Sequence, residues 1–186
     1  KREIIECLQR FDVSALMAFF GQHTVSAEND ILGTIHMLCA RRPLIRHEPS
    51  GEVRMDRRGN QQKTGMFYTP NHIVEWMVRR SLIPLITGVA PHQLTDLSIL
   101  DPACGSGRFL VSAYRILLEH YQDWYRSHPE ALPEFPMVEG TDGLLYLHPR
   151  ERSCIALRHL YGIDIDGKAT ELARTAVLLE WAQGIS

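Results

Sequence analysis

The residues best suited to chemistry are Asp101-Pro102-Ala103-Cys104-Gly105-Ser106-Gly107 and, much later, Asp164. Gly105 and Gly107 stand at the end of a short apolar run, Leu97-Ser98-Ile99-Leu100. Glycines there let the backbone pass close to a ligand with no Cβ in the way. The helix expected to follow, through Phe109, Leu110, Ala113, Leu117, Leu118 and Tyr121, would offer the unpaired N–H groups of its first turn. A nucleotide P-loop needs GxxxxGK[ST], but Arg108-Phe109 follow Gly107, so that loop is excluded. A dinucleotide fingerprint needs a third glycine where Leu110 stands, which weakens that reading. Asp101 decides between the remaining ligands. A carboxylate at the mouth of the turn repels a pyrophosphate and attracts a sulfonium or an ammonium group. S-adenosylmethionine carries both cations and no phosphate, so the pattern selects it over a dinucleotide.

Asp164 closes a second apolar run, Leu160-Tyr161-Gly162-Ile163. At the end of the next strand of a doubly wound sheet, an acid accepts the hydroxyls of an adenosine ribose. Its distance from the glycines exceeds the usual interval of about 20 residues. Residues 127–149, rich in Pro and Gly, account for the excess as a surface insertion, which adds little closure entropy. Asp166 is better placed to cap the last helix, which leaves Asp164 for a ligand. Cys104 reads as a small buried residue rather than a nucleophile.

Positioning these residues requires strand, glycine turn, helix, strand, acid and helix, the opening half of a doubly wound α/β sheet. Upstream, residues 3–42 carry apolar spacing of helical period, with Ser26 as an N-cap and Pro43 as a stop. Residues 44–64 are polar, with turn chemistry at Pro49-Ser50-Gly51. They read as a solvated loop rather than a basic strap on DNA. A helix capped by Thr69, with Pro70 at its first position, should bury Ile73, Val74, Met77, Val78 and Leu82 and fade before Pro84. A short helix over residues 150–159 precedes the second strand, and the last helix covers residues 168–183. His23, His36, His72, His92 and His159 read as surface or satisfied helix residues, and Trp76, Trp124 and Trp181 as packing groups.

Three segments taken together resemble the gamma-type N6-adenine DNA methyltransferases of fused restriction–modification enzymes and type I modification subunits. They are Asp101-Pro-Ala-Cys-Gly-Ser-Gly-Arg-Phe-Leu110, the upstream Gly65-Met-Phe-Tyr-Thr-Pro70, and Tyr161-Gly-Ile-Asp-Ile-Asp166, in the order of that family. The resemblance covers the chain from about residue 63 to its end. It implies a Rossmann-like class I S-adenosylmethionine-dependent methyltransferase fold, truncated after its second strand. It implies a domain division into residues 1–62, helical segment and polar linker, and residues 63–186, the cofactor-binding portion.

By the same resemblance, Tyr68, Thr69 and Pro70 would hold the methionine carboxylate. The turn from Asp101 through Pro102, Ala103, Gly105, Ser106 and Gly107 would line the methionine and sulfonium end, with Asp101 near the ammonium. Asp164 would hold the ribose, and Ile165 would pack on the adenine ring. The family's catalytic tetrapeptide, Asn/Asp/Ser-Pro-Pro-aromatic, is absent. So is the acid that recognises the cofactor's adenine. Both are expected beyond Ser186, so this chain is expected to carry no catalytic residue and to be inactive alone. Methylation of RNA or protein nitrogen, or a non-catalytic cofactor-binding module, are the rival expectations.

Composition sets outer bounds. A net charge of -2 excludes a strongly basic coat for nucleic acid, so contacts to double-stranded DNA are expected mostly outside this chain. No apolar run reaches bilayer length, and no membrane partner is expected. The four cysteines are scattered without zinc spacing, so neither a metal nor a disulfide framework is expected and a cytoplasmic setting is the default. A start without Met suggests a piece of a larger protein, to which a nuclease or specificity domain or subunit could attach.

Overall fold

The computed structural model describes residues 69–131, 133–140 and 142–183, with the backbone of two strands, β1 (Leu44–His47) and β2 (Glu52–Met55). All of these belong to one compact unit, Leu32–Ser186. The helices expected over residues 3–42, the boundary expected after residue 62, and Tyr68 lie outside the described residues. Where a solvated loop was expected, β1 and β2 pair antiparallel, with Leu44 opposite Met55 and His47 opposite Glu52. Four residues of sequence, Glu48-Pro49-Ser50-Gly51, separate them. Strands this short carry too few β-formers to stand out against their charges.

Helix α1 (Asn71–Ile86) differs from expectation at both ends. Pro70, not Thr69, occupies the N-cap, and no side chain caps the helix. The Pro70 carbonyl accepts the N–H groups of Ile73 at 3.0 Å and Val74 at 3.1 Å. At the other end the helix runs through Pro84. A proline this close to a C-terminus removes a single bond. Thr87 closes the helix end, donating its N–H at 3.0 Å and its hydroxyl at 2.8 Å to the Ile83 carbonyl. Leu82 and Ile86, both buried, hold the last turn by packing, and packing supplies most helical stability in proteins. The buried stripe repeats every fourth residue, through Val74, Val78, Leu82 and Ile86. Ile73, Trp76 and Met77 therefore face away from it and are exposed, against the packing expected of them.

Helix α2 (Arg108–Ser127) is the centre of the core. Ala113, Tyr114, Leu117, Leu118 and Tyr121 join Leu82, Ile86, Leu94, Leu147 and Ile155 in one cluster. Each fully buried Leu or Ile of this set contributes roughly 1.5–3 kcal/mol. Within the expected surface insertion a small hairpin forms, β4 (Val138–Glu139) against β5 (Leu145–Tyr146), and buried Leu147 ties its return to the core. Helix α3 (Pro149–His159) follows, capped by His148, whose Nδ1 accepts the Arg150 N–H at 3.1 Å.

Two strands lead to the expected acids, Asp101 at the end of one and Asp164 two residues past the other. β3 (Ile99–Asp101) and β6 (Leu160–Gly162) pair in parallel, with Ile99 beside Leu160 and Asp101 beside Gly162. The long crossover between them contains α2 and α3. Ile99 and Leu160 pack into the core, whereas Leu100, its neighbour Tyr161, and Ile163 are exposed. Helix α4 (Gly167–Ala182) is capped as expected by Asp166, whose Oδ1 accepts the Lys168 N–H at 2.9 Å. Buried Arg152 satisfies its far end, donating from Nη2 to the Glu180 carbonyl at 2.9 Å and from Nε to that of Trp181 at 3.2 Å.

His159 is one of the satisfied helix residues. His159 is wholly buried, with Nδ1 2.7 Å from the Leu97 carbonyl and Nε2 2.8 Å from the Tyr121 hydroxyl. A neutral ring satisfies both: Nδ1–H donates to the carbonyl and Nε2 accepts from the phenol. Burial holds its pKa below the ordinary value of 6.5. The unfolded chain therefore binds a proton that the folded chain resists, and stability falls as pH drops below that value. The urea midpoint should decrease between pH 7.5 and pH 5.5, His159 contributing at most about 1.4 kcal/mol per pH unit. His159→Gln should flatten that slope; an unchanged slope would mean that carboxylates alone carry the acid sensitivity.

Candidate functional site

The turn that links β3 to α2 is held from three sides by its own sequence. Asp101 Oδ1 accepts the Ala103 N–H at 3.1 Å, and the Gly107 N–H donates to the Cys104 carbonyl at 2.8 Å. Ile163 extends the parallel pairing past β6. Its N–H donates to the Asp101 carbonyl and its carbonyl accepts the Cys104 N–H, both at 2.9 Å. Asp164 completes the assembly. Its Oδ2 accepts the Gly105 N–H at 2.8 Å, and its Oδ1 accepts the Asp166 N–H at 2.8 Å. The carboxylate expected to wait for a ligand is thus already bound to the turn. A carboxylate oxygen has a second lone pair, so this bond does not exhaust it.

The two glycines of the turn serve different needs. Both have positive φ, +53° at Gly105 and +87° at Gly107, a region that disfavours other residues by roughly 1–2 kcal/mol. A Cβ on Gly105 would meet open space. One on Gly107 would lie 2.8 Å from both Cα and Cβ of Ala173 in α4. The open approach expected at both glycines is found at Gly105; at Gly107 the missing Cβ makes room for a helix. Gly162, which sequence reasoning passed over, is like Gly107 in this: a Cβ there would sit 2.7 Å from Leu110 Cδ1. Glycine inside a strand was the signal available.

Polar atoms in the turn remain unsatisfied. Asp101 Oδ2 and Ser106 Oγ are buried without a hydrogen-bond partner. Such atoms are uncommon and costly to leave unpaired. The Cys104 thiol is buried, and burial first, then the Asp101 and Asp164 carboxylates, push its pKa up. It is a packing group, as expected. The same two carboxylates give the turn a negative field suited to a cation, and an acid beside an open glycine suits hydroxyls.

The remaining expected residues distribute as follows. Pro102 and Ala103 are exposed, Ser106 and Gly107 are buried, and Ile165 is fully exposed beside Asp164. Thr69 is half-buried, and its carbonyl accepts Arg108 Nη1 at 2.7 Å. Pro70 is exposed at the head of α1. The hydrogen bonds join Asp101, Ala103, Gly105 and Asp164 into one unit, and Arg108 ties Thr69 to the start of α2. Sequence reasoning missed Arg108, although a cation at the first position of a helix works against the macrodipole and was itself a signal. Among the described residues, no group of His, Cys, Asp or Glu side chains could hold a metal ion, and no helix is long and apolar enough to cross a membrane.

Residues 89–184, just over half of the chain, match the family described as the MmeI DNA-methyltransferase domain. Over 169 residues the chain is 27% identical to the type II restriction enzyme and methyltransferase RM.Eco57I of Escherichia coli, covering 89% of this chain and 16% of that protein. It is 24% identical over 214 residues to a putative enzyme of the same description from Methanocaldococcus jannaschii, RM.MjaORFECS2P, covering 95% of this chain and 16% of that one. The adenine-specific methyltransferase PglX of Streptomyces coelicolor is 29% identical over 130 residues, covering 69% of this chain and 9% of its own length. The chain thus spans less than one fifth of each of these relatives. No solved structure matches.

Proposed function

The chain belongs to the MmeI DNA-methyltransferase domain family, and from that premise we propose that it supplies the S-adenosylmethionine cradle of a DNA methyltransferase acting on adenine N6 in a restriction–modification system. The observation that carries the reading is the convergence of both strand-end acids on the glycine turn, with Asp101 Oδ2 buried and unpaired. A buried carboxylate oxygen without a donor fits an ammonium group. Open space over Gly105 and the second lone pairs of Asp164 fit the ribose end, and fully exposed Ile165 fits an adenine face. Thr69, held beside α2, fits the carboxylate end, with Tyr68 and Pro70 beside it. When bound, the cofactor supplies an electrophilic methyl group. The residues of this chain bind and orient it, and no residue here transfers the methyl.

The parallel pair β3–β6 with its helical crossover is read as the first part of a Rossmann-like class I sheet. Residues 63–186 form the cofactor-binding portion, preceded over residues 1–62 by a segment that includes the β1–β2 hairpin. In the parent protein, an Asn/Asp/Ser-Pro-Pro-aromatic segment would accept the target amino hydrogens and stack on a flipped base. Double-stranded DNA is the substrate, a nuclease or specificity domain the partner, and the cytoplasm the setting.

Calorimetry of the 186-residue chain tests the first half. S-adenosylmethionine should bind and NAD and ATP should not. Asp101→Ala should weaken binding by about tenfold to a hundredfold, the worth of a charge-assisted bond of about 1.5–3 kcal/mol. Equal affinity for NAD would overturn the assignment. Mass spectrometry of nucleosides from cells expressing the parent protein tests the second half. N6-methyladenine in DNA is expected, and methyl groups in RNA or protein alone would replace that substrate.

A further inference from the structure

We infer that Arg108 is a positioning residue that fastens the head of α1 to the glycine turn, so that Thr69 and the turn act as one site. This inference rests on the reading of the turn as an S-adenosylmethionine cradle.

Arg108 is the first residue of α2, directly after Gly107. That is the positive end of the helix macrodipole, where a cation is disfavoured. Its Nη1 donates to the Thr69 carbonyl at 2.7 Å, a short charge-assisted bond across 39 residues of sequence. The carbonyl is available because of how α1 begins. The first helical carbonyl is that of Pro70, which takes the N–H groups of Ile73 and Val74. Thr69 lies one residue earlier, outside that ladder, and Pro70 has no N–H to give.

The rest of α1 is held by apolar packing. The buried stripe from Val74 to Ile86 holds the helix against the core. Apolar packing is non-directional, and it sets the side of the helix more firmly than its axial position. In the first turn Val74 is buried, whereas Ile73, Trp76 and Met77 around it are exposed, and the N-cap carries no side-chain bond. The Arg108 guanidinium adds a directional contact at this end, through Nη1. It connects Thr69, the residue read as holding the cofactor's carboxylate end, to the helix that begins at Gly107. A guanidinium suits the task because its donors are fixed in a plane, whereas a lysine offers a single mobile point.

Hydrogen exchange of the full 186-residue chain tests this in Arg108→Ala and Arg108→Lys, with and without S-adenosylmethionine. Without ligand, the amides of Ile73–Met77 should exchange about tenfold faster in Arg108→Ala, as expected on losing a charged hydrogen bond. Those of Leu117 and Ile155 should stay within about twofold, since local opening is separable from global unfolding. Arg108→Lys should lie between. With ligand, the wild type should gain protection at the turn and at the head of α1, and Arg108→Ala at the turn alone. Equal acceleration of head and core, no acceleration at the head, or ligand protection that still reaches the head in Arg108→Ala would each overturn the inference. If the ligand protects nothing in the wild type, the cofactor reading fails instead, and the ligand-free comparison still decides whether Arg108 holds the head.

Discussion

Asp164→Ala is expected to weaken S-adenosylmethionine binding by one to two orders of magnitude, about 1.5–3 kcal/mol, and to loosen the empty turn as well. The double effect follows from the bonds Asp164 already makes. Its Oδ2 holds the Gly105 N–H and its Oδ1 the Asp166 N–H. Removing the carboxylate leaves those two donors to solvent and frees the glycine turn from the end of β6. The loss in unfolding free energy should be about 1–3 kcal/mol, the range for a donor left unpaired. Asp164→Asn separates the two roles. Its amide oxygen still accepts one backbone N–H, so much of the stability should survive while the charged contact to a ribose is lost. Urea denaturation and calorimetry on the three proteins are the measurements. Unchanged affinity in Asp164→Ala would remove Asp164 from the site, and unchanged stability would refute its part in holding the turn.

The second large effect separates two residues that sequence treats alike. Gly107→Ala places a methyl group 2.8 Å from Ala173 Cα and Cβ, on a backbone at φ +87°. Left-handed strain of about 1–2 kcal/mol and overpacking of about 1–3 kcal/mol should together destabilise the chain by roughly 2–5 kcal/mol. Adding Ala173→Gly should recover part of this, because the clash with Ala173 Cα would remain. Gly105→Ala should lose only the strain, about 1–2 kcal/mol, since its Cβ meets nothing. Its methyl group would enter the open side of the turn, and cofactor affinity should fall further than stability does. Equal thermal destabilisation by the two substitutions would contradict the difference in their surroundings.

Much of this site was legible in the chain, for local reasons. Asp101 through Gly107 sits between an apolar run and a helical period, and the strand, turn and helix fall where those patterns put them. Asp166 caps α4 because a short acidic side chain just before a helix reaches the N–H two residues on. Cys104 is buried as its type and neighbours indicate. The errors arose where distant packing overrules local preference. Pro84 lies within α1 because Leu82 and Ile86 are held from outside the helix. Trp76 is exposed because the buried stripe of α1 has a four-residue spacing, which a general helical pattern does not distinguish from its neighbours. Asp164 could be picked out from its place just past a strand end. Its bond to Gly105 crosses 59 residues, and no local rule announces it.

That same bond has a kinetic side. Helices α2 and α3 form from near neighbours, but the turn acquires its shape only when β6 reaches β3 across the whole crossover. Closing a loop of that length comes before any return from the contacts it brings, which makes parallel pairing slow relative to helix formation. A chain emerging from the ribosome can therefore hold most of its helical content while having no site at all. Competence for ligand and completion of folding become one event, and a protein halted short of it would have nothing with which to capture the ligand.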